Sequence, residues 1–259
     1  MSADGRIIAQ NLSKRFLLRH NKTVELKVRF LSVFHVNKRE TVEEFWALRD
    51  VSMSIGKGET VGLVGRNGSG KSTFLKLVAG IYRPTSGHLW VPRHARLGSM
   101  IELGVGFEPE LTGRENIFLS TSIHGLSRSE AAAIYPAIVE YSGLEHFMDV
   151  PIKNYSSGMH MRLGFAISAN LDPDILLLDE IFAVGDADFQ HRCVRTIADF
   201  KKRGKTILFV SHEPEAVRSI CDRVLVLDQG HLLFDGCVDD GLSYFAGLAS
   251  EEGGRLATR

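Results

Sequence analysis

What this chain lacks narrows its function before any motif is read. Its longest purely apolar stretches are short ones such as Ile175 to Leu178 and Ile207 to Val210, far below the roughly 20 residues that span a bilayer. It is therefore not expected to cross a membrane by itself. The opening Met1-Ser2-Ala3-Asp4-Gly5-Arg6 has no basic region followed by an apolar run, the mark of a secretory signal, so a cytosolic protein is expected. Neither sign of charge is in excess: Lys+Arg and Asp+Glu each total 31. That balance removes the global positive field by which proteins hold nucleic acid or anionic lipid, and any membrane contact must be local. Cysteine is scarce, and Cys193, Cys221 and Cys237 show neither metal-site spacing nor an even count. They fit reduced thiols serving as small apolar fillers. There is no internal repeat and no low-complexity segment. What remains is a chain of 259 residues, 44% hydrophobic and 24% charged, able to bury a full core, which excludes disorder as its main character.

Along the chain, residues 6 to 64 read as β-rich and end in the apolar strand Thr60-Val61-Gly62-Leu63-Val64, which runs into a glycine-dense turn. Within this region residues 13 to 40 are locally basic: Lys14, Arg15, Arg19, Lys22, Lys27, Arg29, Lys38 and Arg39 face only Glu25 and Glu40. A solvated loop face accounts for that, as does contact with phospholipid or a membrane partner. Residues 71 to 80 read as a helix stopped by Gly80 and Pro84. From 114 to 147 the strand pattern gives way to helical spacing, as in Ser129-Glu130-Ala131-Ala132-Ala133-Ile134, which implies a helical insertion. Strand signals return at Asp174 to Asp179, Thr206 to Ser211 and Arg223 to Asp228, with helix-like segments between them. Such alternation implies an α/β fold with parallel strands joined by helical crossovers.

The glycine-dense turn is Gly65-Arg66-Asn67-Gly68-Ser69-Gly70-Lys71-Ser72. It fits G-x-x-x-x-G-K-[ST] and lies between a strand and a helix, where a phosphate loop must lie. Glycines let backbone N–H groups converge on anionic oxygens, and the helix N-terminus behind them adds partial positive charge. Lys71 is expected to neutralise the β- and γ-phosphates of the ligand, Ser72 to place its hydroxyl on Mg²⁺, and Thr73 to bond a further phosphate oxygen. By itself the loop says only that a nucleoside triphosphate is bound. Ile175-Leu176-Leu177-Leu178-Asp179-Glu180 is a buried-strand run ending in two carboxylates, the pattern of a Walker B strand. Asp179 is expected to hold Mg²⁺ through water, and Glu180 to polarise the attacking water as general base. The strand Thr206-Ile207-Leu208-Phe209-Val210-Ser211-His212 delivers an imidazole to its C-terminal end, the end that faces ligand in such sheets.

Tyr155-Ser156-Ser157-Gly158-Met159 stands about twenty residues before Asp179 and feeds the helix-like Met161 to Ile167. Here the chain resembles the ABC ATPases, whose signature Leu-Ser-Gly-Gly-Gln occupies this place and feeds a helix beginning with an Arg like Arg162. Ser156 and Gly158 match; Tyr155, Ser157 and Met159 depart. The matching pair is the one whose hydroxyl and backbone N–H would reach a γ-phosphate from a helix N-terminus. The resemblance runs from residue 7 to about 236.

Three further segments resemble the ABC exporters of bacterial polysaccharides, the O-antigen, capsule and teichoic acid subfamily. They are the Tyr-Ser-Ser-Gly-Met signature, Glu102-Leu103-Gly104-Val105-Gly106-Phe107-Glu108-Pro109-Glu110-Leu111-Thr112-Gly113-Arg114-Glu115-Asn116, and Ala183-Val184-Gly185-Asp186-Ala187-Asp188-Phe189-Gln190. Most ABC ATPases carry a Gln near position 102 that ligates Mg²⁺ and senses the membrane subunit; Glu102 occupies that place here, to within one or two residues. Asp186 would belong to the loop that crosses the dimer interface. An aromatic that stacks on adenine is expected before the phosphate loop. Phe45 and Trp46 are the candidates, Trp46 is preferred, and a plain core aromatic is the alternative.

What the resemblance implies is a single ABC nucleotide-binding domain over 1–259. It has a parallel phosphate-loop core sheet, an antiparallel β-subdomain and a helical subdomain at about 111–170, with no appended carbohydrate-binding domain. Two copies would sandwich two ATP, Lys71, Ser72, Asp179, Glu180 and His212 of one facing Ser156 and Gly158 of the other. The expected partners are a second copy, an integral membrane permease and, through it, a lipid-linked polysaccharide, at the cytoplasmic face of the bacterial inner membrane. Nucleic acid is not expected. A nutrient importer's ATPase and a soluble ABC protein acting on nucleic acid or the ribosome are the rival readings. The first is disfavoured by Glu102 and the unusual signature, the second by the single phosphate loop and the zero net charge.

Overall fold

The computed structural model describes residues 5–20, 41–99, 106–179, 186–211 and 213–256. In chain order its first elements are β1 (Ile7–His20), β2 (Thr41–Ile55), β3 (Thr60–Gly65), α1 (Lys71–Val78), β4 (Ser86–Trp90) and β5 (Leu97–Ser99). Then come α2 (Gly113–Ile123), α3 (Arg128–Ser142), α4 (Ser157–Asn170), β6 (Ile175–Asp179), α5 (Ala187–Lys202), β7 (Thr206–Val210), α6 (Pro214–Ile220), β8 (Arg223–Asp228), β9 (His231–Gly236) and α7 (Val238–Leu256).

The apolar strands collect in one sheet of order β5-β6-β7-β3-β8-β9, parallel throughout except for β9, which pairs antiparallel with β8. β3 and β7 are buried along their whole length. Continuous apolar runs need a cover on both faces, because successive side chains point to opposite sides of a strand. Both covers are present. Val61, Leu63, Ile175, Leu177, Leu208, Val210, Leu225 and Leu227 point to a core shared with α1 and with β1 and β2. Their alternates Val64, Leu176, Leu178, Ile207, Phe209, Val224 and Val226 point to the other, built by Phe189, Cys193, Ile197 and Phe200 of α5 and by residues of α6 and α7. The spacing of those four α5 residues is that of one helical face.

β1, β2 and β4 form a second, antiparallel sheet of order β2-β1-β4. The helices over 113–170 form a third core around Ile117, Ile138, Met148, Tyr155 and Leu163. Local chemistry starts each helix there. Thr112 with Glu115 and Ser127 with Glu130 form capping boxes at α2 and α3, and Gly143 ends α3 in the left-handed conformation at φ 62°. The short strands β4 and β5, the antiparallel edge β9 and the C-terminal α7 are features for which the sequence patterns above supplied no expectation.

Candidate nucleotide site

At the C-terminal end of β3 the chain wraps a cavity of about 410 Å³, lined by Phe45, Ala47, Asn67, Gly68, Gly70, Lys71, Ser72, Thr73 and Asp179. The loop reaches this shape because two of its glycines touch other backbone. A Cβ on Gly70, which sits at φ 110°, would lie 2.4 Å from the Ala47 carbonyl oxygen. One on Gly65 would lie 2.2 Å from that of Leu227. Only hydrogen fits at either place. Gly70 also precedes α1 without any side-chain cap, and no acidic residue stands in that helix's first turn. The first amides of α1 and the positive end of its dipole are thus left for an anion.

Lys71 is nearly buried, and its Nζ donates to the carbonyls of Gly65 at 2.7 Å and Arg66 at 2.9 Å. This folds the ammonium back into the loop, against the same cavity as the Ser72 hydroxyl and the Asp179 carboxylate. Ser69 is 2% exposed, and its Oγ has no hydrogen-bond partner among the described residues. Its backbone is held from the far side: the Gly230 amide, in the turn between β8 and β9, donates to the Ser69 carbonyl at 3.1 Å, while Arg49 N donates to the Gly230 carbonyl at 2.8 Å. One glycine residue therefore joins β2 to the phosphate loop. The donor set fits a magnesium–nucleotide: helix amides and an ammonium for phosphates, a hydroxyl and a carboxylate for a hard cation.

The expected aromatic needs correction. Phe45, 45% exposed, lines the cavity, together with Ala47 two residues on. Trp46 lies opposite Arg15 in the β1–β2 register, with that guanidinium 5.5 Å from its ring. Successive residues of a strand face opposite ways, so Trp46 turns away from the side that Phe45 presents to the cavity, and Phe45 replaces Trp46 as the candidate.

Ser156 and Gly158 do not line this cavity. Ser156 caps α4, its Oγ accepting from Met159 N at 3.2 Å, and it is exposed. The neighbouring Tyr155 is an anchor instead: buried in the helical core, it donates to the Phe147 carbonyl at 2.7 Å, and burial pushes its phenol up to about 12. Arg162, further along α4, donates to the Ser142 carbonyl at 2.9 Å and lies 3.6 Å from Asp186, whose own carboxylate caps α5 at Phe189 N. This places the signature helix against the start of α5. Glu180, Glu102 and His212 lie outside the described residues.

With the geometry in place, comparison with known proteins is direct. The ABC transporter family profile matches residues 48–183. An O-antigen export system ATP-binding protein RfbB of Klebsiella pneumoniae is 47% identical over 225 residues, 86% of this chain and 89% of its own. Another of the same name and organism is 53% identical over 189 residues, 73% of this chain and 76% of its own. The teichoic acids export ATP-binding protein TagH of Listeria innocua is 44% identical over 232 residues, covering 90% of this chain and 67% of its own. Among solved structures, a dimeric ATP-binding cassette in a post-hydrolysis state with ADP and phosphate superposes with a TM-score of 0.70 at 21% identity, over 90% of this chain and 98% of that one. The ATP-binding subunit of an ABC transporter superposes with a TM-score of 0.71 at 24% identity, over 93% of each chain. Those two likenesses show the fold. A phosphate loop of this shape, a Walker B carboxylate on its cavity and relatives this close lead to one conclusion: the chain belongs to the ABC transporter family, as an ATP-binding, ATP-hydrolysing subunit.

Proposed function

We propose that this chain powers export of a lipid-linked polysaccharide across the bacterial cytoplasmic membrane, working as a homodimer against an integral membrane permease on the cytoplasmic face. The observation that supports the dimer is the division of the motifs. Lys71, Ser72, Thr73 and Asp179 line one cavity, while Ser156 and Gly158 stand apart from it at an exposed helix N-terminus. A γ-phosphate bound in the cavity of one copy would meet the capped end of α4 of the other, so ATP would close the pair and hydrolysis reopen it. Magnesium belongs to the same reading, held by Ser72 and by Asp179 through water, with Glu102 as a further ligand. Glu180 is assigned the general base and His212 a further catalytic role.

The substrate class is taken from the relatives, named for O-antigen export and for teichoic acids export. No helix among the described residues is long and apolar enough to cross a membrane, so the translocation path belongs to the partner. For its docking we assign the cleft of about 340 Å³ between β5, the end of α2 and the turn before β6, lined by Leu97, Ile123, Leu126, Leu171 and Pro173 among others. Ile123 is 61% exposed at its rim.

Deleting the gene in its host, with complementation by the wild-type chain and by Lys71→Ala, tests the assignment. Loss of a surface glycan, restored by the wild type and not by the variant, is the expected result. A deletion strain with every surface glycan intact would overturn the exporter assignment. An importer's ATPase would show instead as lost uptake of a nutrient.

A further inference from the structure

The second residue of the phosphate loop has a partner that the nucleotide site does not explain. The Arg66 guanidinium donates through Nη2 to the main-chain carbonyl of Leu248, 182 positions away in α7. Leu248 is no loose end: with Leu242 and Phe245 it packs on the core face of β8 formed by Val224 and Val226. The same C-terminal unit reaches the loop a second time, through the Gly230 amide on the Ser69 carbonyl. The loop is thus held at Arg66 by α7 and at Ser69 by the β8–β9 turn, two contacts that flank Asn67 and Gly68 on the cavity wall.

We propose that Arg66 is a positioning residue, and that α7 sets the affinity of the phosphate loop for ATP by holding Arg66 through the Leu248 carbonyl. Loop amides bind phosphate well only when their directions are set before the ligand arrives, since ordering them afterwards subtracts from affinity. Lys71 bonds to the loop's own carbonyls and moves with it. The ties to α7 and to Gly230 refer the loop to the packed core. α7 thereby becomes an element through which anything seated on the C-terminal helix would alter nucleotide binding, with no contact to the nucleotide itself.

The test uses the full chain, a fluorescent ATP analogue for affinity and thermal unfolding as the check on folding. Arg66→Ala removes the donor. Ala249→Pro displaces the acceptor while leaving Arg66 in place, because a proline disfavours the helical conformation of the residue before it. Each variant should bind the analogue about 3- to 10-fold more weakly, because only part of the more than about 10-fold that a charge-assisted hydrogen bond carries would reach the phosphates through the loop. The double variant should be no weaker than either single one. KM for ATP should rise by the same factor with kcat within about twofold, a split that general destabilisation would not produce. Weakening by Arg66→Ala alone would mean that the guanidinium acts on the phosphates directly, and additive losses, or none, would overturn the proposal equally. Should Ala249→Pro fail to fold, salt decides. A bond to a neutral carbonyl leaves the ratio of Arg66→Ala to wild-type affinity constant between low and moderate salt, whereas a direct contact with phosphate would bring that ratio closer to one as salt rises.

Discussion

Replacing Phe45 with Ala strips the one aromatic ring that the described residues place on the wall of the nucleotide cavity, leaving Ala47 and the loop in place. Stacking of a base on an aromatic side chain is worth about 1–3 kcal/mol. Phe45 is 45% exposed in the free protein, so only part of the residue is left to meet the base, the lower end applies, and ATP affinity should fall about 5- to 10-fold. The loss should be confined to the base: inorganic triphosphate should compete for the site equally well in both proteins, because the loop, Lys71 and the α1 amides are untouched. Trp46→Ala is the control. It removes a half-buried ring lying against Arg15, which should cost about 1–2 kcal/mol of stability and leave nucleotide affinity within about twofold. Titration with a fluorescent nucleotide, with ATP and triphosphate as competitors, reads both quantities. If Trp46→Ala weakens ATP binding more than Phe45→Ala, β2 does not present Phe45 to the base, and the pleat argument fails.

Three further outcomes are expected. Glu180→Gln should slow hydrolysis by at least about 10²-fold with ATP binding intact and should elute as a dimer when sized with ATP; near-normal turnover together with monomeric elution would remove Glu180 from catalysis. Gly70→Ala would force a side chain to φ 110° with its Cβ 2.4 Å from the Ala47 oxygen. It should cost at least about 2 kcal/mol and lower Tm by about 4 °C or more, so a melting point within a degree of wild type would refute the close contact between β2 and the loop. Burial pushes the Cys193 and Cys221 thiols up to about 12, while Cys237 is exposed. A thiol reagent at pH 8 should therefore modify one cysteine quickly in the folded protein and three after denaturation, and two fast thiols would contradict that burial.

The phosphate loop, the Walker B run and the capped start of the signature helix could all be read from the chain, because each works through neighbours in sequence. Glycines at fixed offsets free the backbone, the strand's apolar run demands burial on both faces, and Ser156 caps the helix it precedes by bonding the amide three residues on. The parallel sheet followed from the same alternation of strands and helices. Length of contact separates what the sequence left open. Choosing Phe45 over Trp46 needed the register of β1 on β2, in which Arg15 meets Trp46 and fixes which way the pleat turns the next residue. β5 is a strand only because Leu97 and Ser99 pair with Ile175 and Leu177; three residues carry no period of their own. The ties of Gly230 to Ser69 and of Arg66 to Leu248 join residues more than 150 positions apart, and each ends on a main-chain carbonyl, that of Ser69 and that of Leu248. Every residue carries the same amide and carbonyl, so no side-chain pattern announces such a bond, and it exists only once the sheet has brought β8 beside β3 and laid α7 across them.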